Sequence, residues 1–145
     1  MTVRVVCRGI ILDQDSAKLL LVRNKGSDFW YPPGGGWDHA DETIEQCIIR
    51  ETLEETTIHI QPIRLLYVQE FHPSKEVSHL ELFWFCTPIS STKIGNIKDL
   101  HGITEEARWF SKEDIQTITV FPERLKSKFW IELSSTLGSP NPLIR

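Results

Sequence analysis

Glu51, Glu54 and Glu55 stand at i, i+3 and i+4, directly after Arg50. Carboxylates in that pattern, gathered on one side of a helix, form an all-oxygen cluster of the kind a hard divalent cation such as Mg2+ or Mn2+ satisfies. Without a cation they repel one another, by roughly a few tenths of a kcal/mol per pair on a helix and more when partly buried. Arg50 can serve one of the charges. An acidic run at a helix end is also how a solvated face reads, so the Glu triplet alone leaves both readings open.

The elements that must carry these side chains separate the two readings. Pro32-Pro33-Gly34-Gly35-Gly36 combines fixed φ with unrestricted φ, as a backbone needs when it bends sharply near a ligand, and predicts a loop. Asp41 then serves as N-cap of a helix from about Glu42 to about Thr56, with Glu42 and Glu45 at its positive end. Turned at about 100° per residue from Ile44, Cys47 falls near roughly 300° and Ile48 near roughly 40°, an apolar face. Glu51 follows at about 340°, Glu54 at about 280° and Glu55 at about 20°. The three carboxylates therefore continue a face that is apolar one turn earlier, the wrong place for solvated charge. Glycine turn, spacing and face together favour a cation site.

Gly36, five residues, Glu42, seven residues and then Arg50-Glu51-Thr52-Leu53-Glu54-Glu55-Thr56-Thr57-Ile58 resembles the signature box of the Nudix hydrolases. The one clear departure is Thr57, where the family has glycine. Glycine would close the helix in the left-handed region, so threonine predicts a strained or differently ended helix. The resemblance covers residues 36–58 and implies an α/β (α+β) fold, an α/β/α sandwich around a mixed β-sheet.

The same resemblance implies a Nudix-type pyrophosphohydrolase, cleaving phosphorus-containing anhydrides with Mg2+ or Mn2+. Its substrate would be a nucleoside diphosphate linked to another moiety. Glu51, Glu54, Glu55 and the backbone carbonyl of Gly36 take the metal-ligand positions. Arg50 orients a neighbouring glutamate, and Glu42 either joins the metal site or pairs with Arg50. The general base is a box glutamate or a later acidic residue, for which Glu105 and Glu106, ending a polar loop before Trp109, are the candidates. Candidate substrate contacts are Gly35 in the turn, Arg23 in a basic loop with Lys25, and Trp37 as a stacking face beside Trp30 and Phe83. Pro73 follows Ile58 by 15 positions (73 − 58), near where the family's ADP-ribose hydrolases carry a proline, although their following glycine is absent. That tilts the choice towards an ADP-ribose-like sugar nucleotide over a modified nucleoside triphosphate. The alternative from another class is a Nudix-like module that binds or senses a nucleotide without cleaving it.

The remaining chain reads as support. At 145 residues and 40% hydrophobic content it is long enough for one core, with a single domain over 1–137 and a frayed tail over 138–145. A net charge of −4 without a Lys/Arg run argues against a nucleic-acid backbone tracker. Cys7, Cys47 and Cys86 are odd in number, lack CxxC spacing and read as buried thiols of a reducing compartment. No stretch approaches a membrane span or a signal peptide, so a cytoplasmic protein is expected, with the oligomeric state open and a homodimer among the options. No histidine pair has zinc-ligand spacing. Strands are expected over Val3–Leu12 and Ala17–Val22 as a hairpin, over Ile58–Phe71 with a break near Pro62, and over His79–Thr87. Ser90–Glu105 reads as a long polar loop and Ala107–Phe110 as a short strand. A turn capped by Ser111 and a final helix from Pro122 to about Ser135 complete the order.

Overall fold

The computed structural model describes residues 1–97 and 102–136. Its spine is β1 (Thr2–Asp13), which changes partners along its length. On one side β1 runs parallel to β6 (Val77–Pro88), from Thr2 opposite Val77 to Ile11 opposite Cys86. On the other, Val6, Cys7 and Arg8 pair antiparallel with β4 (Gly34–Gly36). Beyond them Leu12 and Asp13 turn into β2 (Lys18–Asn24) as the expected hairpin. β6 carries the antiparallel β5 (Ile60–Phe71), which bulges at Pro62/Arg64 and Leu65/Tyr67. β2 in turn pairs with β7 (Thr104–Ser111) and β3 (Phe29–Tyr31), and β3 runs parallel to the short β8 (Thr119–Val120). The sheet is mixed, as anticipated.

The two-residue period of the strands sorts the core into two layers. Cys7 and Ile11 of β1, Leu20 of β2 and Cys86 of β6 face Cys47 and Ile48 of α1 (Ile44–Thr56). Ile10 and Leu12, Leu19 and Leu21, and Phe83 and Phe85 face the opposite way. There they meet Ile115 of α2 (Lys112–Ile115), Leu125 of a 3₁₀ turn (Glu123–Lys126), and Phe129, Trp130 and Leu133 of α3 (Lys128–Thr136). Helices thus cover both faces, and both faces of β6 are apolar because both are covered.

Several boundaries differ from expectation. The glycine run is a strand: β1 supplies the ladder that its own low strand propensity would not. β7 begins at Thr104, so Glu105 and Glu106 lie in a strand and not at the end of a loop. Ser111 and Asp114 form the expected capping box, but the last helix breaks at Ser127 into a 3₁₀ turn and α3. The tail from 138 to 145 lies outside the described residues. Among the described residues no helix is long and apolar enough to cross a membrane, and Cys7, Cys47 and Cys86 are all buried free thiols.

Candidate active site

The helix that carries the glutamates starts two residues later than the acidic run suggests. Thr43, not Asp41, is the N-cap: its hydroxyl accepts from the Gln46 N–H at 3.1 Å, and the Gln46 side chain accepts from the Thr43 N–H at 2.9 Å. Asp41 and Glu42 instead close a turn onto the Asp38 carbonyl. Glu42 is thereby released from the helix and turns inward. Its two oxygens accept from Arg50 Nε at 2.9 Å and Nη2 at 2.7 Å, a bidentate pair. The Arg50 hydrogen bonds hold the Glu42 carboxyl below the usual carboxylate range, against its burial.

The third nitrogen of Arg50 faces the helix. Nη1 donates to Glu51 Oε1 at 3.0 Å and lies 3.5 Å from Glu54 Oε1. One guanidinium therefore contacts three carboxylates. Its own proton is held more firmly than normal, foremost by the bond to Glu42. Glu55, only 7% exposed, accepts from the Gly34 N–H at 3.3 Å.

Across from the helix, the triglycine strand lets two charged groups approach its backbone. A Cβ on Gly35 would stand 2.6 Å from the Glu51 carboxyl carbon, and one on Gly36 would stand 2.3 Å from Arg4 Nη2. A side chain at either position would push the end of Glu51 or Arg4 aside. Between strand and helix lies a cleft of about 470 Å³ with Glu51 and Glu55 on one wall and Arg4, Arg8 and Arg50 around it. Gly35 and Gly36 line it.

Arg4 and Arg8 escaped the sequence reading because they sit in a strand otherwise counted as apolar. Alternation was the available signal: residues 4 and 8 share one side of β1. Arg8 Nε donates to Glu81 at 2.8 Å and Nη1 to the Pro32 carbonyl at 3.2 Å, while its guanidinium lies 4.9 Å above the Tyr31 ring. Both Arg8 and Glu81 are largely buried.

Other expected site residues sit elsewhere. Arg23 is engaged by Glu106 at 3.3 Å and the Ser27 carbonyl at 3.1 Å and does not line the cleft, because β2–β7 pairing places it opposite Glu106. Glu106 is half-buried, but hydrogen bonds from Arg108 and Arg23 outweigh that burial and keep its carboxyl below the usual range. Glu105 is exposed on β7 and is not in the cleft wall. Trp37 braces the loop before α1, its indole N–H donating to the Glu42 carbonyl at 2.9 Å and its ring packing on the helix-side core. Trp30 is buried against Phe110. Pro73 lies in the turn between β5 and β6 and lines neither described cleft.

Thr57 ends α1 in the left-handed region, at φ 68°, the conformation glycine would adopt. Its N–H donates to the Leu53 carbonyl at 2.9 Å and its hydroxyl accepts from the Gly95 N–H at 2.7 Å. The hydroxyl ties down the loop after β6, a contact glycine would not supply.

Among the described residues no three carboxylates, thiols or imidazoles close into a ready metal cluster. The reason is local: Glu51 and Glu54 are turned to Arg50, and Glu55 to the Gly34 N–H. One observation still fits a hard cation: Glu54 Oε2 is buried with no hydrogen-bond partner, and a carboxylate oxygen is the donor such an ion takes.

Comparison with known proteins agrees with this geometry. A curated relative, nucleoside diphosphate-linked moiety X motif 6 of Xenopus laevis, is 40% identical over 73 residues, 49% of this chain and 33% of its own length. The match thus spans about a third of that relative. Among solved structures, a Nudix hydrolase from Nitrosomonas europaea superposes with a TM-score of 0.70 at 23% identity, covering 90% of each chain. A UDP-X diphosphatase superposes at 0.65 with 22% identity, covering 92% of this chain and 61% of the other. An ADP-ribose pyrophosphatase from Streptococcus suis does so at 0.62 with 20% identity, covering 83% and 81%. These likenesses establish the fold. The NUDIX domain model matches residues 3–131, from the first strand through the carboxylate helix to the last helix, and the chain belongs to the Nudix family.

Proposed function

We propose that the protein is a metal-dependent pyrophosphohydrolase acting on a nucleoside diphosphate linked to another moiety. The observation that carries this reading is the cleft itself, a wall of box glutamates facing Arg4, Arg8 and Arg50 across a strand of bare backbone. A diphosphate needs positive charge on its oxygens and a metal at the scissile bond, and the two walls offer the side chains for each. Two fold neighbours, named as a UDP-X diphosphatase and an ADP-ribose pyrophosphatase, support a sugar nucleotide or similar conjugate.

Glu51, Glu54, Glu55 and the Gly36 carbonyl would hold Mg2+ or Mn2+. When bound, such an ion supplies charge neutralisation for the diphosphate and lowers the pKa of water. Arg4 and Arg8 bind phosphate oxygens from the opposite wall. Arg50, fixed by Glu42, holds Glu51 and Glu54 in orientation. Glu55, on the cleft wall, takes the proton of the attacking water, because Glu51 is engaged by Arg50, Glu105 is exposed elsewhere and Glu106 is held by two arginines.

The test is a panel of nucleotides, sugar nucleotides and dinucleoside polyphosphates with Mg2+ or Mn2+. Release of a nucleoside monophosphate from at least one class is expected. Tight nucleotide binding with no release at saturating metal would identify a binding module instead.

A further inference from the structure

Glu81 stands outside the carboxylate helix, on β6, and is only 8% exposed. Phe83 and Phe85, the next two residues on its strand face, both belong to the core, so a charged side chain heads an apolar row. Parallel pairing sets Glu81 opposite Val6, two residues from Arg8, and the ion pair it forms with Arg8 is largely buried. Taking two charges out of water costs as much as their attraction returns, and an apolar pair of similar volume holds a fold equally well. Stability alone does not account for the pair.

Arg8 is held at three points. Nε donates to Glu81 Oε2 at 2.8 Å, Nη1 donates to the Pro32 carbonyl at 3.2 Å, and the guanidinium carbon lies 4.9 Å from the centre of the Tyr31 ring. That ring is itself tied, through its hydroxyl, to Asn24 Oδ1. Such contacts fix both the plane of a guanidinium and its rotation on the stem. The nitrogen left over is Nη2, which donates to no acceptor among the described residues, on a side chain that lines the carboxylate cleft. Arg4 is the contrast. It lines the same cleft from the same face of β1, but it is exposed and its guanidinium makes no hydrogen bond among the described residues.

We infer that Glu81 is a positioning residue for the hydrolysis and acts through Arg8, holding the guanidinium with Nη2 presented to the phosphate oxygens of the substrate. This inference rests on the hydrolase reading above and names what orients its phosphate-binding arginine. A free arginine loses rotamer freedom when it grips phosphate, whereas a fixed one has little left to lose. A donor already aimed at developing charge also needs no reorganisation as the bond breaks. Charge alone would favour the opposite arrangement, because a carboxylate beside an anion site repels the anion. Glu81 therefore weakens attraction while fixing direction, and the two effects separate in KM and kcat.

The experiment has two arms. In the first, kcat and KM are measured with Mg2+ for the best nucleotide of the panel, in the native enzyme, Glu81→Gln, Glu81→Leu, Arg8→Met and the double variant Arg8→Met/Glu81→Leu. Glutamine keeps the shape and removes the charge, so Glu81→Gln should leave KM unchanged or lower while kcat falls about tenfold or more, the scale of a contact misplaced by about an ångström. Removing both partners should cost no more in kcat/KM than removing Arg8 alone. The double variant exchanges an ion pair for apolar side chains and should melt no lower than the native protein, so its kinetics are those of a folded chain. A kcat within about twofold of native in both Glu81 variants, or losses that add in the double variant, would overturn the inference and leave the hydrolase reading in place. In the second arm, the Arg8 Nε–H resonance, assigned by its loss in Arg8→Met, is followed by 15N NMR as Mg2+ and methylenediphosphonate, a diphosphate mimic that water does not cleave, are added. It should shift in the native protein and be lost to exchange with water in Glu81→Leu. If no substrate is turned over, the hydrolase reading fails and this resonance decides: a shift that Glu81→Leu abolishes supports the positioning of Arg8, and an unmoved resonance overturns it.

Discussion

Glu54→Gln distinguishes a carboxylate kept for a cation from one that merely serves Arg50, because the two roles predict opposite changes in stability. In metal-free protein three contributions move. Losing the 3.5 Å approach of Arg50 Nη1 costs about 0.3–0.5 kcal/mol at most. Relief of repulsion from Glu51, three residues earlier, returns roughly 0.2–0.5 kcal/mol. The third decides: Glu54 Oε2 is buried without a partner, and a buried charged oxygen left unpaired costs upwards of about 1–3 kcal/mol. Glutamine recovers part of that, since it removes the charge but leaves a polar atom in place. The variant should therefore be between about 0 and 1.5 kcal/mol more stable without metal, a Tm rise of up to roughly 5 °C for a chain of this size.

With Mg2+ present the order should reverse. A ligand stabilises the folded state in proportion to its affinity, so a ten- to hundredfold weaker site forfeits about 1.4–2.7 kcal/mol at saturation. Turnover should fall at least about a hundredfold, as when other electrostatic stabilisers are removed. The assay is thermal denaturation with chelator and with excess Mg2+, run beside Glu45→Gln, whose carboxylate is exposed in the first turn of α1 and should change neither property. A Glu54→Gln protein that melts lower in chelator and gains as much from Mg2+ as the native chain would refute the reasoning.

Gly35→Ala should keep the fold but cut turnover at least about tenfold, because its Cβ displaces the end of the flexible Glu51 side chain; wild-type turnover at unchanged Tm would remove Glu51 from the site. Thr52→Val should raise stability by about 1 kcal/mol in chemical denaturation, since the Thr52 hydroxyl is fully buried with no partner and valine has the same shape and similar helix propensity; a loss would mean the hydroxyl is bonded. Glu42 has a folded-state pKa below its unfolded value, so the stability it lends is present above the unfolded pKa and lost as pH falls through the folded one. Glu42→Gln should flatten that acid limb of the stability profile, and an unaltered limb would show that the Arg50 pair does not carry it.

What could be read ahead was whatever is written locally. The carboxylate helix announces itself by period and box spacing, and the departure at Thr57 pointed to the helix end that the structure resolves with a left-handed threonine and a bond to Gly95. The cap was legible too, as Thr43 followed three residues later by Gln46, but the acidic pair Asp41 and Glu42 drew the boundary upstream. Hidden features are those that only long-range register creates. No local rule makes a strand of three glycines; their pairing with Val6, Cys7 and Arg8 does so. The cleft's arginines are hidden for the same reason. Along β1 the even positions run Arg4, Val6, Arg8, Ile10, Leu12, one face that is charged at its start and core at its end. Parallel pairing sets Glu81 opposite Val6 and Phe83 opposite Arg8, so Glu81 and Phe83 join that same face, and Glu81 comes within reach of Arg8. A single strand face thus passes from positive charge through an ion pair to aromatic side chains and core. That gradient is why the charged cleft adjoins a second depression walled by Phe29, Phe71, Phe83 and Phe121, and why Arg8, at the boundary, lines both.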